Sequence, residues 1–404
     1  MWSWVRKRVV LPISTNDCRD ICITHRALET ISDFVETCHG ESLQSRKTSV
    51  HPVMVDVEDC GAAYRFLMPV LTATPGAWLL TGTERLLQRP ILPLVDVLRS
   101  IGAEIERVVD GWLIHGKSFR PIETQDFASL HRGETEGVSL TIDASQSSQM
   151  ASALVLAAPL LGLKTLHLTT TDIPSLSYLQ MTLACTRDWS LTIPGVMVPD
   201  TPVGASGDWS AALFWFAYAR LHPEHEYVLS PLSLESIQGD SVIVQWFRSL
   251  GVSVSCRDAA RSVSAIPCVE ISAKPLDEMP RMTLDVRDNL DTVPVMTALA
   301  ALLPADITFQ NVRNLQYKES DRLHALAEQL SPYAKIELSE NELHVKGTGV
   351  SKGVNPIFNT RHDHRLAMAF LLFPNAELSD TECLRKSYPG LLFRLCELKM
   401  NRNQ

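Results

Sequence analysis

A helix followed by a β-hairpin recurs along this chain, and that recurrence constrains the fold more than any other feature. Ile91 to Ile101 has the apolar spacing of a helix and is stopped by Gly102. A strand from Ala103, an Asp110-Gly111 turn signal and a second strand at Trp112 to His115 follow. The same order returns at Val242 to Leu250, with Gly251 as stop and a strand at Val252 to Cys256. It returns again at Arg322 to Leu330, with strands near Lys335 to Leu338 and Glu342 to Val345, and a weaker copy lies at Tyr178 to Ile193. A second element alternates with the first: a short β-like run, a polar loop and a helix of small residues. Its copies begin near Val53, Leu140, Ser206, Met282 and Pro356, spaced by roughly 65 to 90 residues. Together the two elements define a β-α-β-α-β-β unit used about six times, which predicts an α/β protein of two lobes with three units each.

Each small-residue helix begins beside Ser, Asp, Asn or Gly. Such residues cap helices and leave backbone N–H groups with a partial positive charge at the start. Ordinary capping explains the pattern, and several starts aimed at one place would also suit an anion. With 37 Lys and Arg against 46 Asp and Glu the net charge is −9, so a broad basic face for nucleic acid is not expected, and an anionic ligand has to be met by a local cluster. The longest apolar stretch, Ala151 to Leu163, is too short to span a membrane, and Met1 to Ile13 lacks the apolar core of a secretory signal. Nine scattered cysteines without a CxxC pair suit reduced thiols, and a cytoplasmic protein is expected. Cys18, Cys22, His25, Cys38 and His39 form a conceivable metal set, but their spacing matches no common zinc motif.

Cations and carboxylates cluster at or beside the helix starts: Arg65, Gln88-Arg89-Pro90, Ser147-Ser148-Gln149, Asp291, Lys318-Glu319-Ser320-Asp321-Arg322, Asp363-His364-Arg365 and Lys386. Singly each reads as a cap or a solvated face. In this order, and with Gly61-Ala62-Ala63-Tyr64-Arg65, Leu80-Thr-Gly to Arg89-Pro-Ile91, Asn314 to Arg322, Asp363 to Met368 and Lys386-Ser-Tyr-Pro389, the series resembles the 5-enolpyruvylshikimate-3-phosphate synthase family from about Leu11 to Leu398. Asp208 to Ala212 and Gln238-Gly239-Asp240 resemble a form of this enzyme found in one bacterial subgroup.

The resemblance implies a two-lobed inverse α/β barrel of six β-α-β-α-β-β repeats, the enolpyruvyl transferase fold. The first lobe would run from 13 to 204 and the second from 205 to 404 together with 1–12, with the active site in the cleft between them. It implies transfer of the enolpyruvyl group of phosphoenolpyruvate to the 5-hydroxyl of shikimate 3-phosphate in the shikimate pathway, with release of phosphate. Neither a metal nor an organic cofactor is implied, and the protein would be a monomer with no nucleic-acid or membrane partner. Gathering two phosphates and two carboxylates requires fixed cations and helix N-termini. By resemblance Arg322 and Arg365 clamp the phosphoenolpyruvate carboxylate, while Gly61, Arg89, Gln149 and Lys386 hold its phosphate. Ser147, Ser148, Ser175, Asn314 and Lys318, again with Gln149, bind shikimate 3-phosphate, and Arg26 and Tyr178 lie on its ring or carboxylate. Asp291 takes the hydroxyl proton or only binds the hydroxyls, Glu319 delivers a proton to the methylene carbon, and Lys386 serves as an acid at the leaving phosphate.

The start of the chain departs from the family pattern, Leu-Pro-Gly-Ser-Lys-Ser-x-Ser-(Asn/His)-Arg-Ala-Leu, whose lysine contacts phosphoenolpyruvate. Here Leu11 to Leu28 keeps both ends with extra residues between. Counting back from Arg26 puts Ile21 at the lysine and Cys22 at the following serine, with Arg19 the nearby cation. Two readings stay open beside the active synthase: a weakened homologue that still binds shikimate phosphate, and the sister transferase acting on a UDP-amino sugar.

Overall fold

The computed structural model describes residues 18–38, 51–119, 137–199, 207–257, 267–274, 279–349 and 355–401. The expected lobe crossings at Pro12 and Gly204, together with Leu11 to Asp17, lie outside them. The chain divides into two compact units. The first holds the described residues up to Ile173 and Tyr178–Val198, and the second holds Pro174–Ser177 and the described residues from Pro199 onward.

In the first unit α1 (Arg19–Cys38) precedes one complete repeat: β1 (Val53–Asp56), α2 (Gly61–Thr72), β2 (Gly76–Thr81), the short α3 (Glu84–Leu87), α4 (Leu92–Ser100), β3 (Glu104–Val108) and β4 (Gly111–Gly116). Its sheet has the order β1-β2-β4-β3, with β1 parallel to β2 and the hairpin antiparallel. A partial copy follows: β5 (Val138–Ile142), α5 (Gln149–Leu161), β6 (Leu163–Leu168) and α6 (Leu176–Cys185), of which Tyr178 onward belongs to this unit. Only one isolated bridge, Thr165 to Thr192, stands among the described residues where a hairpin was expected near Ile193.

The second unit contains α7 (Trp209–Leu221), β7 (Glu226–Leu229), α8 (Ile243–Ser249), β8 (Val252–Arg257) and β9 (Cys268–Ala273), with sheet order β7-β9-β8. A second complete repeat follows: β10 (Arg281–Asp285), α9 (Val293–Leu302), β11 (Asp306–Gln310), α10 (Arg322–Leu330), β12 (Ala334–Leu338) and β13 (Glu342–Gly347), in the order β10-β11-β13-β12. The chain closes with β14 (Ile357–Phe358), α11 (His364–Phe370), β15 (Glu377–Leu378) and α12 (Leu391–Asn401).

The small-residue helices are the buried centres of their units. Every residue of α9 from Val293 to Ala301 is buried, and α7 and α11 pack on it. Met150 to Ala158 of α5 are likewise buried, and α2 lies against that helix. A helix that is apolar all round has no solvent face to orient it, so it belongs inside.

The two complete repeats share a close approach that requires glycine. The last residue of β4, Gly116, would place a Cβ 2.0 Å from the Thr74 carbonyl oxygen and 2.3 Å from that of Leu71. Gly347, at the end of β13, would place one 1.9 Å from the Ala300 oxygen and 2.1 Å from that of Leu303. In both, the final strand runs over the carbonyl end of the repeat's first helix. Backbone cannot yield as a flexible side chain does, so Gly347→Ala is expected to destabilise the second unit by at least about 1–3 kcal/mol. A denaturant midpoint equal to that of the wild type would contradict this.

One turn is displaced from its sequence reading. Gly111 already pairs with Val108, so Val109 and Asp110 make the turn. Gly111 is needed because a Cβ there would meet the Leu80 oxygen at 2.2 Å.

Candidate functional site

In the second unit, three helix starts bring chemistry together. A single 3-10 turn, Leu290–Thr292, carries Asp291 immediately before α9, whose Pro294 sits in the first turn where no N–H is needed. Asp321 caps α10 by accepting from the His324 N–H, and Arg322 is the first helical residue. Asp363 caps α11 by accepting from the Arg365 N–H.

Arg322 is the hub of the cluster. Its Nε donates to Asp363 Oδ2 at 2.8 Å and its Nη2 to Asp363 Oδ1 at 3.1 Å, a bidentate pair. Nη2 also donates to Glu319 Oε2 at 2.7 Å, and Nη1 to Asp291 Oδ1 at 2.8 Å. Lys318 Nζ reaches the same Asp291 oxygen at 3.0 Å, and the Ser320 hydroxyl donates to Asp363 Oδ2 at 2.9 Å. Arg322 is 1% exposed and the Asp363 side chain 0%.

Burial alone would raise the carboxyl of Asp291. Lys318, Arg322 and Arg365 outweigh it and hold the group well below the usual carboxylate range. Asp363 is held low in the same way, with Arg322 overcoming burial. His364 goes the other way: burial, with the Arg365 charge beside it, pulls its imidazole down to about 3, so it is neutral at physiological pH.

Arg365 is buried, and its Nη1 donates to the Ser210 carbonyl at 3.2 Å. The Ser210 hydroxyl bonds Asp240, a carboxyl that burial pushes up to about 6. Gln238 joins the same set, its Nε2 donating to Asp208 at 2.8 Å and its Oε1 accepting from the Trp209 N–H at 2.9 Å. Lys386 is 3% exposed at the end of a 3-10 turn, Glu382–Lys386. Asn314 lies in the turn Arg313–Tyr317 just ahead of Lys318. Ser175 takes a left-handed conformation, φ +56, and its N–H donates to the Arg287 carbonyl at 2.9 Å.

In the first unit the arrangement centres on the start of α2. Arg89, 8% exposed, packs against Gly61 so closely that a Cβ there would lie 2.4 Å from Arg89 Nη1. Arg65 ties three segments together: it donates to Gln149 Oε1 at 2.8 Å, to the Pro90 carbonyl through Nη2 at 2.9 Å and through Nε at 3.2 Å, and to the Gly61 carbonyl at 3.4 Å. Gln149 opens α5, its N–H donating to the Ser147 hydroxyl at 3.3 Å. Ser148 is buried at the cap position without a side-chain cap bond, and Tyr178 is half-buried on α6. Arg26 pairs with Glu58 at 2.8 Å.

Several of the residues marked in the sequence find partners within the chain itself. The starts of α7, α10 and α11 are filled by the chain's own Asp208, Asp321 and Asp363, because an aspartate one position ahead of a helix reaches the orphan N–H groups. At α2 the cap is the Cys60 thiol, which accepts from the Ala63 N–H at 3.4 Å. Arg322, expected on a substrate carboxylate, spends four of its N–H bonds on Asp363, Glu319 and Asp291. Asp363 takes Arg322, and Ser320 in turn bonds Asp363; sequence reasoning gave neither residue a role, and no local signal in the sequence marks the pairing. Among the described residues no three His, Cys, Asp or Glu side chains gather as a metal site. Of the conceivable metal set, His39 and the side chain of Cys38 lie outside what the structure describes. No helix among them is long and apolar enough to cross a membrane.

A family model described as EPSP synthase (3-phosphoshikimate 1-carboxyvinyltransferase) matches residues 8–395. The chain belongs to the EPSP synthase family. A member from Bacteroides fragilis, named 3-phosphoshikimate 1-carboxyvinyltransferase, is 30% identical over 410 residues, covering 96% of this chain and 94% of its own. One of the same name from Idiomarina loihiensis is 31% identical over 363 residues, covering 84% and 78%. The solved EPSP synthase of Acinetobacter baumannii superposes with a TM-score of 0.55 at 19% identity, over 83% of this chain and 77% of that one, which shows the enolpyruvyl transferase fold. In this chain the Lys318–Arg322 and Asp363–Arg365 segments carry the buried charge network described above.

Proposed function

We propose that this family member transfers the enolpyruvyl group of phosphoenolpyruvate to the 5-hydroxyl of shikimate 3-phosphate, releasing phosphate, as a cytoplasmic step toward aromatic amino acids. The observation that carries the reading is the Arg322 hub, which fixes Asp291, Lys318 and Glu319 as a mixed-charge set ready for acid–base work.

The hydroxyl oxygen bonds to the C2 carbon of phosphoenolpyruvate while its methylene carbon takes a proton, giving a tetrahedral adduct. The adduct then breaks its bond to the phosphate oxygen and returns a methyl proton. Asp291 accepts the hydroxyl proton. Both of its ion pairs fall on Oδ1, which leaves Oδ2 to meet the hydroxyl. Lys318 turning to the shikimate phosphate relaxes its hold on Asp291 and makes that carboxylate more basic when substrate is bound. Glu319 moves the proton at the methylene carbon, oriented by Arg322 Nη2. With Arg322 committed to carboxylates of the chain, Arg365 takes the larger share of the phosphoenolpyruvate carboxylate. Gly61, Arg89, Gln149 and Lys386 receive its phosphate. Ser147, Ser148, Ser175 and Asn314 join Lys318 on the other substrate, with Arg26 and Tyr178 on its ring side.

A weakened homologue that binds shikimate 3-phosphate without turnover has one observation in its favour: Ile21, at the counted lysine position, is 52% exposed and carries no charge. The choice is decided by phosphate release from phosphoenolpyruvate with three acceptors. Release with shikimate 3-phosphate, and none with unphosphorylated shikimate or a UDP-amino sugar, is expected. Tight calorimetric binding of shikimate 3-phosphate with no release would replace the synthase by the weakened homologue.

A further inference from the structure

We infer that Arg19 supplies, from the first turn of α1, the phosphate-binding cation that Ile21 lacks, and that it acts on phosphoenolpyruvate. The inference rests on the proposed function and names a binding residue within it. The geometry of α1 separates the two positions. Ile23, Ala27 and Ile31 are buried at 1%, 3% and 0%, a stripe with a spacing of four that turns one side of the helix inward. Arg19 lies one turn before Ile23 on that same side, whereas Ile21 is about 200° away from it around the helix. A lysine at position 21 of this helix would therefore point to solvent, and an arginine at 19 runs on from the packed stripe.

Arg19 reaches the loop that leads into α2. Its Nε donates to Glu58 Oε2 at 3.0 Å, while Arg26 Nη1 donates to Glu58 Oε1 at 2.8 Å. Asp59 and Asp20 also lie near Arg19 and, with Glu58, favour its charged form. The Arg19 and Arg26 pairs hold the Glu58 carboxyl below its ordinary range although burial opposes them. Next to Arg19, the Asp20 carbonyl lies 3.9 Å from the thiol of Cys60, the residue that caps α2. The following residue, Gly61, is the one against which Arg89 packs. The helix turn that carries Arg19 and the Arg89 guanidinium thus both lie at the start of α2. Together with its N–H groups, they suit a phosphate better than a carboxylate alone, since a dianion can be shared between two guanidinium groups. Only the Nε–Nη2 edge of Arg19 is bound to Glu58, so the other edge of the fork can face a ligand.

The test is calorimetry with phosphoenolpyruvate alone, where no acceptor is present and no turnover intervenes, beside a separate titration with shikimate 3-phosphate. Arg19→Ala, at a half-exposed position with its fold checked by circular dichroism, is expected to weaken phosphoenolpyruvate binding roughly ten- to a hundredfold, the loss of one charge-assisted contact. Shikimate 3-phosphate binding should stay within about twofold of wild type on the same scale. Arg19→Lys is expected to keep most of the affinity. Adding Ile21→Lys to Arg19→Ala should not restore it, because that side chain leaves the helix on the wrong side. Unchanged phosphoenolpyruvate affinity in Arg19→Ala, a loss falling on shikimate 3-phosphate instead, or full restoration by Ile21→Lys would each overturn the inference. Binding is read without turnover, so a protein that binds phosphoenolpyruvate through Arg19 and never releases phosphate would defeat the synthase reading and leave Arg19 standing.

Discussion

Replacing Arg322 with methionine is expected to cost about 3–5 kcal/mol of stability and to abolish phosphate release, because it strands carboxylates that the chain has buried around one guanidinium. Asp363 is fully buried, and its two oxygens take Arg322 Nε and Nη2; Glu319 and Asp291 take the remaining bonds. Methionine fills much of the same space and supplies none of the five donors. The acid response should change sign as well. In the wild type Asp291 and Asp363 are held below their ordinary values, so the stability they contribute is present above about pH 4 and is lost as pH falls further. Without Arg322 burial dominates Asp363, its carboxyl moves up, and the variant gains stability relative to wild type as pH falls toward that range. Chemical denaturation at neutral and mildly acid pH measures both effects. A variant with wild-type stability and the wild-type acid slope would show that the carboxylates do not depend on Arg322.

Glu319→Gln is expected to separate the two effects: large loss of activity with little loss of stability. Glutamine keeps an oxygen for Arg322 Nη2 and nearly the same volume, so the 2.7 Å contact is weakened rather than emptied. It cannot exchange a proton with the methylene carbon, and removal of a positioned acid–base group lowers kcat by roughly a hundred- to ten-thousandfold. Steady-state kinetics and thermal unfolding of the same preparation separate the two. A variant with near-normal kcat would remove Glu319 from the proton transfer.

Much of this was legible in the sequence because local rules and tertiary packing agree. Gly102 and Gly251 end α4 and α8 at φ +86 and +76, as a glycine stop requires. Helix α10 occupies the span from Arg322 to Leu330 given by its apolar spacing, followed by its hairpin. The charged segments marked in the sequence do meet: Asp291, Lys318, Glu319 and Arg322 share one network.

What sequence could not give was the pairing across distance. Nothing local distinguishes Arg322, which is held by Asp363, Glu319 and Asp291, from Arg365, whose Nη1 rests on a backbone carbonyl. Both are buried arginines beginning a helix behind an aspartate cap. The Ser210–Asp240 bond, which links α7 to the turn ahead of α8 and supports the carbonyl holding Arg365, joins residues thirty apart and has no periodic signature. Glu58 was invisible for the same reason. It lies in a polar loop where an acidic residue is unremarkable until two arginines from α1 arrive on it.

The most direct measurement is a phosphorus NMR time course of phosphoenolpyruvate and shikimate 3-phosphate with the wild-type protein, run beside Glu319→Gln. The account predicts that the phosphoenolpyruvate signal is replaced by inorganic phosphate in step with conversion of shikimate 3-phosphate, only when both substrates are present, and that the variant's spectrum barely changes. Both substrate signals persisting unchanged with folded wild-type protein would contradict it.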